Sequence, residues 1–203
     1  DNSWWMAFHG YRLIGNRVRG FHHTLGRETC LVPVTWPTNS WPVVNGNGTV
    51  TLEMHCPTLP LQAVHQEPTR TDFDNPKLEL FWNYIQTPDF NNYSLSERSG
   101  YLRLKGAPNK IGEFGSPSFL GRRLQVVNFA STTILDFNPK TENEEAGMIL
   151  INNGTHFDLI IRKIGKERVV QVKLQFGTNT YQSKPFSLKP GQVKLRIEGD
   201  TNH

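Results

Sequence analysis

The chain contains little cysteine, no long apolar run and almost no helical periodicity. Two cysteines among 203 residues exclude a disulfide-rich scaffold, and we expect Cys30 and Cys56 to be buried free thiols. No segment approaches the roughly 18 consecutive apolar residues of a membrane helix, so we predict no membrane span. The segment 1–5 lacks the basic and apolar parts of a signal peptide, and we expect residue 1 to be a mature end or, as we favour, a chain boundary.

Motifs of the common catalytic centres are also missing. The chain has no Gly-x-Ser-x-Gly elbow, no phosphate-binding Gly-Lys-Ser/Thr loop and no Cys-x-x-Cys pair. Glycoside hydrolysis usually needs two facing carboxylates. The acidic candidates are Asp72 with Asp74, Glu142 with Glu144 and Glu145, and Glu28. Closely spaced acids are typical of solvated loops, although the Asp72 group could serve a structural calcium. We therefore predict no catalytic residue in this chain.

Metal and nucleic-acid sites are weakly supported. The candidate metal ligands are His9, His22 and His23. His22 and His23 are consecutive, so their side chains should point to opposite sides of an extended chain. We predict no metal site and no cofactor other than that calcium. The net charge is only +4, and no aromatic RNA-binding motif accompanies the basic residues, so we predict no nucleic-acid partner. The clustered basic residues all lie in one expected hairpin and are Arg162, Lys163, Lys166, Arg168 and Lys173.

Strand patterning dominates the sequence. The segments 4–11, 29–36 and 49–55 predict an antiparallel meander, because apolar and aromatic residues alternate between glycine-containing turns. The proline-rich segment 57–69 predicts a linker.

Many short strands without crossover helices follow from residue 70 and predict a β-sandwich or jelly roll. The clearest alternation predicts that Val170, Val172, Leu174 and Phe176 are buried while the intervening polar residues face water. The last strand, 193–197, runs nearly to the end of the chain. We therefore expect the sandwich to be truncated at its C-terminus.

One cation has a distinctive position. Arg27 follows Gly26 in a turn directly before an apolar, β-branched run that ends at Trp36. A lone arginine on an edge turn is usually only a surface residue. Its place directly before an apolar strand with two spaced tryptophans, Trp36 and Trp41, sets Arg27 apart from that usual case.

Two sets of motifs point to a known family. The first set comprises WWMAFHGYR at 4–12, LGRET at 25–29, VPVTW at 32–36 and WPVV at 41–44. The second comprises LELFWN at 78–83, YLRL at 101–104, FLGRR at 119–123 and EAGM at 145–148. They resemble, respectively, the last blade of the five-bladed β-propeller and the C-terminal concanavalin-A-like β-sandwich of family 43 glycoside hydrolases, of the β-xylosidase and α-L-arabinofuranosidase type.

The resemblance implies an all-β fold with 1–56 as an incomplete propeller blade, 57–69 as a linker and 70–203 as the sandwich. It implies a parent enzyme that cleaves terminal xylose or arabinose from hemicellulose oligosaccharides by an inverting two-carboxylate mechanism. In this family the arginine matching Arg27 binds the sugar in the cleaved-residue subsite. The catalytic acids lie on earlier blades, so we expect this chain alone to be inactive.

Two further points concern the family pattern. Cys30 stands where a bulky apolar residue is more usual. The family's sandwich can send an aromatic residue from a late loop to the mouth of the active site. We expect the residues of that loop to follow His203, so we do not assign this active-site role to Phe114.

The implied partners are a xylo- or arabino-oligosaccharide and the remainder of the propeller. A stand-alone, non-catalytic carbohydrate-binding module and an accessory scaffold without a ligand remain alternatives. For localisation we favour the bacterial periplasm or the cell exterior, with the cytoplasm left open.

Overall fold

The computed structural model describes residues 3–16, 20–22, 25–64, 66–152 and 154–200. Their contacts divide the chain into two compact units, Asp1–Thr69 with Leu124–Val127 and Arg70–Arg123 with Asn128–His203. The predicted all-β class is confirmed. The described helical segments are the short helix α1 (Asn45–Gly48) and a 3₁₀ turn at Phe90–Asn92. None of the described helices has the length and apolarity needed to cross a membrane.

The first unit contains a small antiparallel sheet. The described strands of this unit are β1 (Trp4–Tyr11), β2 (Ile14–Asn16), β3 (Gly20–His22), β4 (Arg27–Thr35) and β5 (Val43–Val44). The sheet order is β1-β4-β5, while β2 and β3 form a separate two-stranded pair. Val32 in β4 is fully buried and lies opposite Met6 in β1. The β1 and β4 strands therefore place the segment around Arg27 beside the end of β1.

The predicted strand at 49–55 is wrong. Residues 49–56 form no strand, although Val50, Leu52 and Met54 alternate with polar residues. The chain instead turns through α1, where Asn45 and Gly46 have φ angles of 51° and 49°. Alternation alone does not make a strand, because a strand also needs a neighbour to accept its backbone hydrogen bonds. The segment 57–69 belongs to the first unit, and its function as a linker stays a prediction.

The second unit contains all the remaining described strands. Their bounds are β6 (Trp82–Asn83), β7 (Tyr93–Ser94), β8 (Arg103–Leu104), β9 (Gly121–Arg122), β10 (Phe129–Leu135), β11 (Glu145–Asn152), β12 (Thr155–Ile164), β13 (Glu167–Phe176), β14 (Asn179–Gln182), β15 (Phe186–Ser187) and β16 (Val193–Gly199). The largest sheet has five strands, in the order β11-β12-β13-β14 with β15 also pairing to β13. Two-stranded pairs form between β10 and β16, β6 and β9, and β7 and β8.

Burial along β13 corrects one sequence prediction. Val172 and Phe176 are 37% and 49% exposed, whereas Gln171, expected to face water, is only 7% exposed. The Gln171 amide nitrogen donates a 2.7 Å hydrogen bond to the carbonyl oxygen of Ser183, which offsets the desolvation of that nitrogen, whereas the buried Oε1 atom has no partner among the described residues. Tertiary neighbours, rather than the alternation itself, therefore decide which face of this strand is covered.

Candidate functional site

Arg27 is the first residue of β4, and Gly26 precedes it in a left-handed backbone conformation with φ of 76°. Glycine adopts this conformation without the steric cost that a Cβ atom brings. No atom of the described residues lies within 4 Å of a Cβ placed on Gly26. The Arg27 side chain is exposed at the start of the strand. The turn predicted before Arg27 is therefore present, and it presents the guanidinium to solvent.

Tyr11 holds one side of this guanidinium. The antiparallel register places Tyr11, the last residue of β1, directly opposite Arg27. The Arg27 Nε atom donates a hydrogen bond of 3.0 Å to the Tyr11 hydroxyl oxygen. This bond raises the pKa of Arg27 above its ordinary value, so the group stays charged. The contact orients the guanidinium through Nε and leaves its terminal nitrogens as donors for a ligand.

Glu28 does not neutralise this charge. Successive residues of a strand point to opposite faces, so Glu28 lies on the other face of β4 from Arg27. There its Oε1 atom pairs with Nη2 of Arg12 at 2.7 Å. Arg27 instead shares its face with His9 and Thr29, which are paired across β1 and β4. The sequence fragment Gly-Arg-Glu-Thr thus places an exposed cation and an ion-paired carboxylate on opposite faces of β4.

Close packing supports the same two strands. Gly10, in β1, lies opposite Glu28 and beside Cys30. A Cβ atom placed on Gly10 would approach the Cys30 Sγ atom to 2.7 Å, so this site accepts only glycine without a shift of its neighbour. Cys30 and Cys56 are both free thiols, as predicted, but each is half-buried rather than buried.

Most of the other acidic candidates have local structural partners, whereas Asp74 has no hydrogen-bond or ion-pair partner among the described residues. Asp72 pairs with Arg70 at 2.6 Å. Glu142 accepts a 2.7 Å hydrogen bond from the backbone nitrogen of Gly165. Glu144 accepts bonds from the Lys140 backbone nitrogen at 2.7 Å and the Thr141 hydroxyl at 3.3 Å, and Glu145 pairs with Lys173 at 2.5 Å. These contacts anchor loops and strands, and the absence of a catalytic residue stays a prediction.

The histidine and basic candidates are not assembled into a site. Among the described residues, no three His, Cys, Asp or Glu side chains come together to hold a metal ion. His9 is exposed on β1. His23 and the side chain of His22 lie outside the described part of the chain, although the backbone of His22 belongs to β3. In the basic hairpin, Lys163 donates to the Lys140 carbonyl oxygen, and Arg168 donates to three carbonyl oxygens, those of Phe137, Lys189 and Gly191.

Tyr11 is the hydrogen-bond partner of Arg27 that the sequence did not predict. Tyr11 and Arg27 are separated by 16 positions, with β2 and β3 between them. The strand pattern of β1 was visible, and its bounds were predicted correctly as 4–11. The register that pairs its last residue with Arg27 was not visible, because it depends on the length of the intervening hairpin.

The chain is similar to proteins of one known family. Residues 70–203 match the family model described as Beta xylosidase C-terminal Concanavalin A-like domain. A non-reducing end α-L-arabinofuranosidase of Bacteroides ovatus is 39% identical over 174 residues, which are 85% of this chain and 32% of that protein. A xylosidase/arabinosidase of Butyrivibrio fibrisolvens is 39% identical over 203 residues, covering 98% of this chain and 38% of that protein.

A solved structure extends the similarity to both units. The structure of Bacteroides ovatus Xyloglucan PUL GH43B matches with a TM-score of 0.90 and 35% identity, over 98% of this chain and 39% of that one. The chain thus spans between 32% and 39% of the length of these relatives. Because the family model covers most of the chain and the predicted resemblance is confirmed, the chain belongs to glycoside hydrolase family 43.

Proposed function

We propose that this chain is the C-terminal part of a glycosidase that removes terminal xylose or arabinose from hemicellulose oligosaccharides. Membership of family 43 supports hydrolysis of glycosidic bonds. The similar proteins are described as an α-L-arabinofuranosidase and a xylosidase/arabinosidase, which supports a pentose at the non-reducing end. The natural setting that we propose is the bacterial periplasm or the cell exterior.

The observation that carries the proposal is the geometry of Arg27. Its Nε atom is anchored to Tyr11, and Glu28, the adjacent carboxylate, is engaged by Arg12 on the other face. A charged, planar group with fixed donors can bind two neighbouring sugar hydroxyls at once, and these bonds are stronger than neutral ones. In the proposed enzyme, Arg27 binds the pentose in the cleaved-residue subsite and holds its ring in place for the reaction.

The chemical step needs groups from the rest of the propeller. In an inverting glycosidase, a carboxylic acid protonates the leaving oxygen while a carboxylate activates water, and the two lie about 6.5–9.5 Å apart. We assign neither task to Glu28, Asp72 or the 142–145 group, because each has a structural partner. Asp74 alone does not supply the two carboxyl groups that the mechanism needs. The proposed partner is therefore the remainder of the propeller, the proposed reaction needs no cofactor, and this chain alone is inactive.

Hydrolysis of aryl glycosides tests this function. The longer gene product should release the aryl group from a β-D-xyloside or an α-L-arabinofuranoside, whereas residues 1–203 should not. Arg27→Ala should lower kcat/KM on the order of a hundredfold or more. Arg27→Lys should recover little activity, because lysine retains the charge but not the fork of donors. Turnover by residues 1–203 at the rate of the longer protein would overturn the proposal.

The same assay separates the role of Arg27 from its effect on the fold. Its side chain is exposed, so the thermal midpoint of Arg27→Ala should match that of the parent. An unchanged rate in this variant would remove Arg27 from the sugar site.

A non-catalytic carbohydrate-binding module is the second candidate. Exposed tryptophans favour it, since Trp4, Trp36 and Trp41 are 63%, 59% and 87% exposed. Their arrangement is less favourable, because the Trp4 and Trp36 rings meet edge-on at 61° and do not form one flat stacking surface. Calorimetric titration with xylan and arabinan oligosaccharides tests this candidate. Binding that is lost in Trp41→Ala, together with no hydrolysis by the longer protein, would favour the module.

A further inference from the structure

Asp72 and Asp74, a pair in the sequence, have different surroundings in the structure. Asp72 is held by Arg70, whose Nε and Nη2 atoms lie 2.7 and 2.6 Å from its Oδ1 atom. The Asp74 carboxylate makes no such pair with any described residue. It is exposed in the loop that opens the second unit. Asp74 therefore retains its full capacity to accept hydrogen bonds.

Asp74 lies at the edge of a cavity within the second unit. The cavity has a volume of about 310 Å³, which is at the lower end of the range for small-molecule sites. Its wall combines the loop after Asp74 with β7 and the residues that follow β7. The lining residues are Asp74, Asn75, Pro76, Tyr93, Ser94, Leu95 and Ser96.

Hydrogen bonds hold the β7 side of this cavity. The Tyr93 hydroxyl donates to the carbonyl oxygen of Phe119 and accepts from the backbone nitrogen of the same residue, each at 3.0 Å. The Ser94 hydroxyl oxygen accepts from the backbone nitrogens of Ser96 and Glu97 at 3.3 and 3.1 Å. The wall is thus fixed before any ligand enters, which lowers the entropic cost of binding.

Gly100 lies close to Asp74. A Cβ atom placed on Gly100 would lie 3.6 Å from the Asp74 Oδ1 atom, which is an ordinary van der Waals distance, and Gly100 has a positive φ of 73° that other residues rarely adopt. The Oδ1 atom therefore lies near the backbone of Gly100.

The lining suits a neutral, hydroxyl-rich ligand. Asp74 supplies one carboxylate, and Asn75 and Ser96 supply an amide and a hydroxyl. The Asn75 Nδ2 atom also donates to Glu79 Oε1 at 3.4 Å, and the Ser96 hydroxyl lies 3.5 Å from that of Ser94. Pro76 and Leu95 supply apolar surface for the C–H face of a sugar ring. A single carboxylate is poorly matched to Ca²⁺, which takes six to eight oxygen ligands and usually several carboxylates. A polyol instead needs one strong acceptor and several neutral donors and acceptors, which this wall contains.

We propose that this cavity binds one pentose unit of a hemicellulose oligosaccharide, with the Asp74 carboxylate accepting hydrogen bonds from ring hydroxyls. The choice of a pentose rests on the proposed function. The binding itself rests on the cavity and on the unengaged carboxylate. The sandwich unit would then contact saccharide directly, in addition to the contact proposed for Arg27.

Amide NMR of the 203-residue chain tests this proposal. Xylotriose or arabinotriose should shift the backbone signals of residues 74–76 and 93–96 in a saturable manner. Asp74→Asn should weaken the apparent affinity by about tenfold or more, because a charged acceptor is replaced by a neutral amide. Asp72→Asn is the matched control, two positions away and outside the lining, and should leave the affinity within about twofold.

A second variant makes the test independent of the charge. Ser96→Phe places a large side chain at the cavity wall and should abolish the saccharide-dependent shifts, while the remaining spectrum reports an intact fold. Shifts that persist in both Asp74→Asn and Ser96→Phe would overturn the proposal. So would the absence of shifts with either pentose oligosaccharide, or shifts with CaCl₂ alone.

Cellotriose separates this inference from the proposed function. Cavity shifts with cellotriose but with neither pentose oligosaccharide would overturn the pentose assignment and would also count against a pentose-specific enzyme. A cavity without any saccharide response would overturn only this inference, because the aryl glycoside assay does not depend on Asp74.

Discussion

Tyr11 and Arg27 lie directly opposite each other at the end of β1 and the start of β4, and the Tyr11 hydroxyl oxygen accepts a 3.0 Å hydrogen bond from Arg27 Nε. Through this bond Arg27, a β4 residue whose guanidinium has five N–H donors, is tied to β1. On the opposite face, Arg12 and Glu28 form the corresponding ion pair between the same two ends. The proposed sugar contact is therefore positioned by tertiary pairing as well as by its own turn.

Removal of the Tyr11 hydroxyl should free the Arg27 guanidinium without unfolding the strand pair. In Tyr11→Phe, we expect the Arg27 Nε–Hε NMR signal to exchange faster with water, because its acceptor is lost. In the longer enzyme, the variant should lose less activity than Arg27→Ala, since the charge remains. Tyr181→Phe, at an exposed position on β14, is the control. An unchanged Hε exchange rate in Tyr11→Phe would show that Tyr11 does not hold Arg27.

A methyl group at Gly10 should destabilise the first unit. The added Cβ atom would lie 2.7 Å from Cys30 Sγ, and such overpacking typically costs about 1–3 kcal/mol. Gly106→Ala is the control, because a Cβ atom there meets no atom of the described chain within 4 Å. Tryptophan fluorescence during urea unfolding is a suitable probe, since residues 4, 5, 36 and 41 are tryptophans of this unit.

The same packing contact allows a rescue. Cys30→Ala removes the sulfur atom that the new methyl group would meet, so the double variant Gly10→Ala/Cys30→Ala should be more stable than Gly10→Ala alone. Strictly additive losses in the two variants would contradict the contact.

Truncation of Ile161 should destabilise the second unit through a cavity. The side chain is fully buried in β12, so Ile161→Ala should cost about 2–5 kcal/mol and Ile161→Val about 0.5–1.5 kcal/mol. Ile134, 61% exposed on β10, provides the control Ile134→Ala. Urea unfolding followed by circular dichroism measures these differences. Equal losses in Ile161→Ala and Ile134→Ala would contradict the assignment of the core.

Asp136 should make the stability of the second unit depend on acid pH. Its carboxylate accepts a 2.7 Å bond from Arg98, which lowers the pKa of Asp136 in the folded state. A lowered folded pKa favours folding above the unfolded pKa of about 3.9, and this contribution is lost as the pH falls through the folded value. The pair is largely exposed, so solvent screening keeps this contribution to the free energy of unfolding small.

A pH series of unfolding curves measures this effect. Asp136→Asn should be less stable than the parent at pH 7, and the difference should shrink towards about pH 3. Asp74→Asn, which removes no ion pair, should match the parent throughout. A difference for Asp136→Asn that grows on acidification would contradict the assigned direction of the pKa shift.

The sequence predicted several local features correctly. The alternation in 4–11 marked β1 with its observed bounds, and Gly26 marked the turn before Arg27. The motifs at 25–29 and 101–104 indicated the family that the comparisons confirm. These features are encoded by neighbouring residues, because side-chain period and glycine conformation act over only a few positions.

Other features required the folded chain. The alternating segment 49–55 has no strand partner, and Gln171 is buried while Val172 is exposed. Asp72 and Asp74 differ in their surroundings, since Asp72 is paired with Arg70 and Asp74 lines the cavity. None of these outcomes depends on local pattern alone, since each is set by residues distant in sequence.

Family membership and the identity of the candidate arginine were thus encoded in short motifs. The orientation of that arginine was not, because it depends on the register that brings Tyr11 to Arg27 across an intervening hairpin. The cavity at Asp74 likewise forms only when β7 closes against a loop about 20 positions earlier. Local propensity decides which residues enter a strand or a turn, whereas hydrogen-bond register and packing decide which side chains meet.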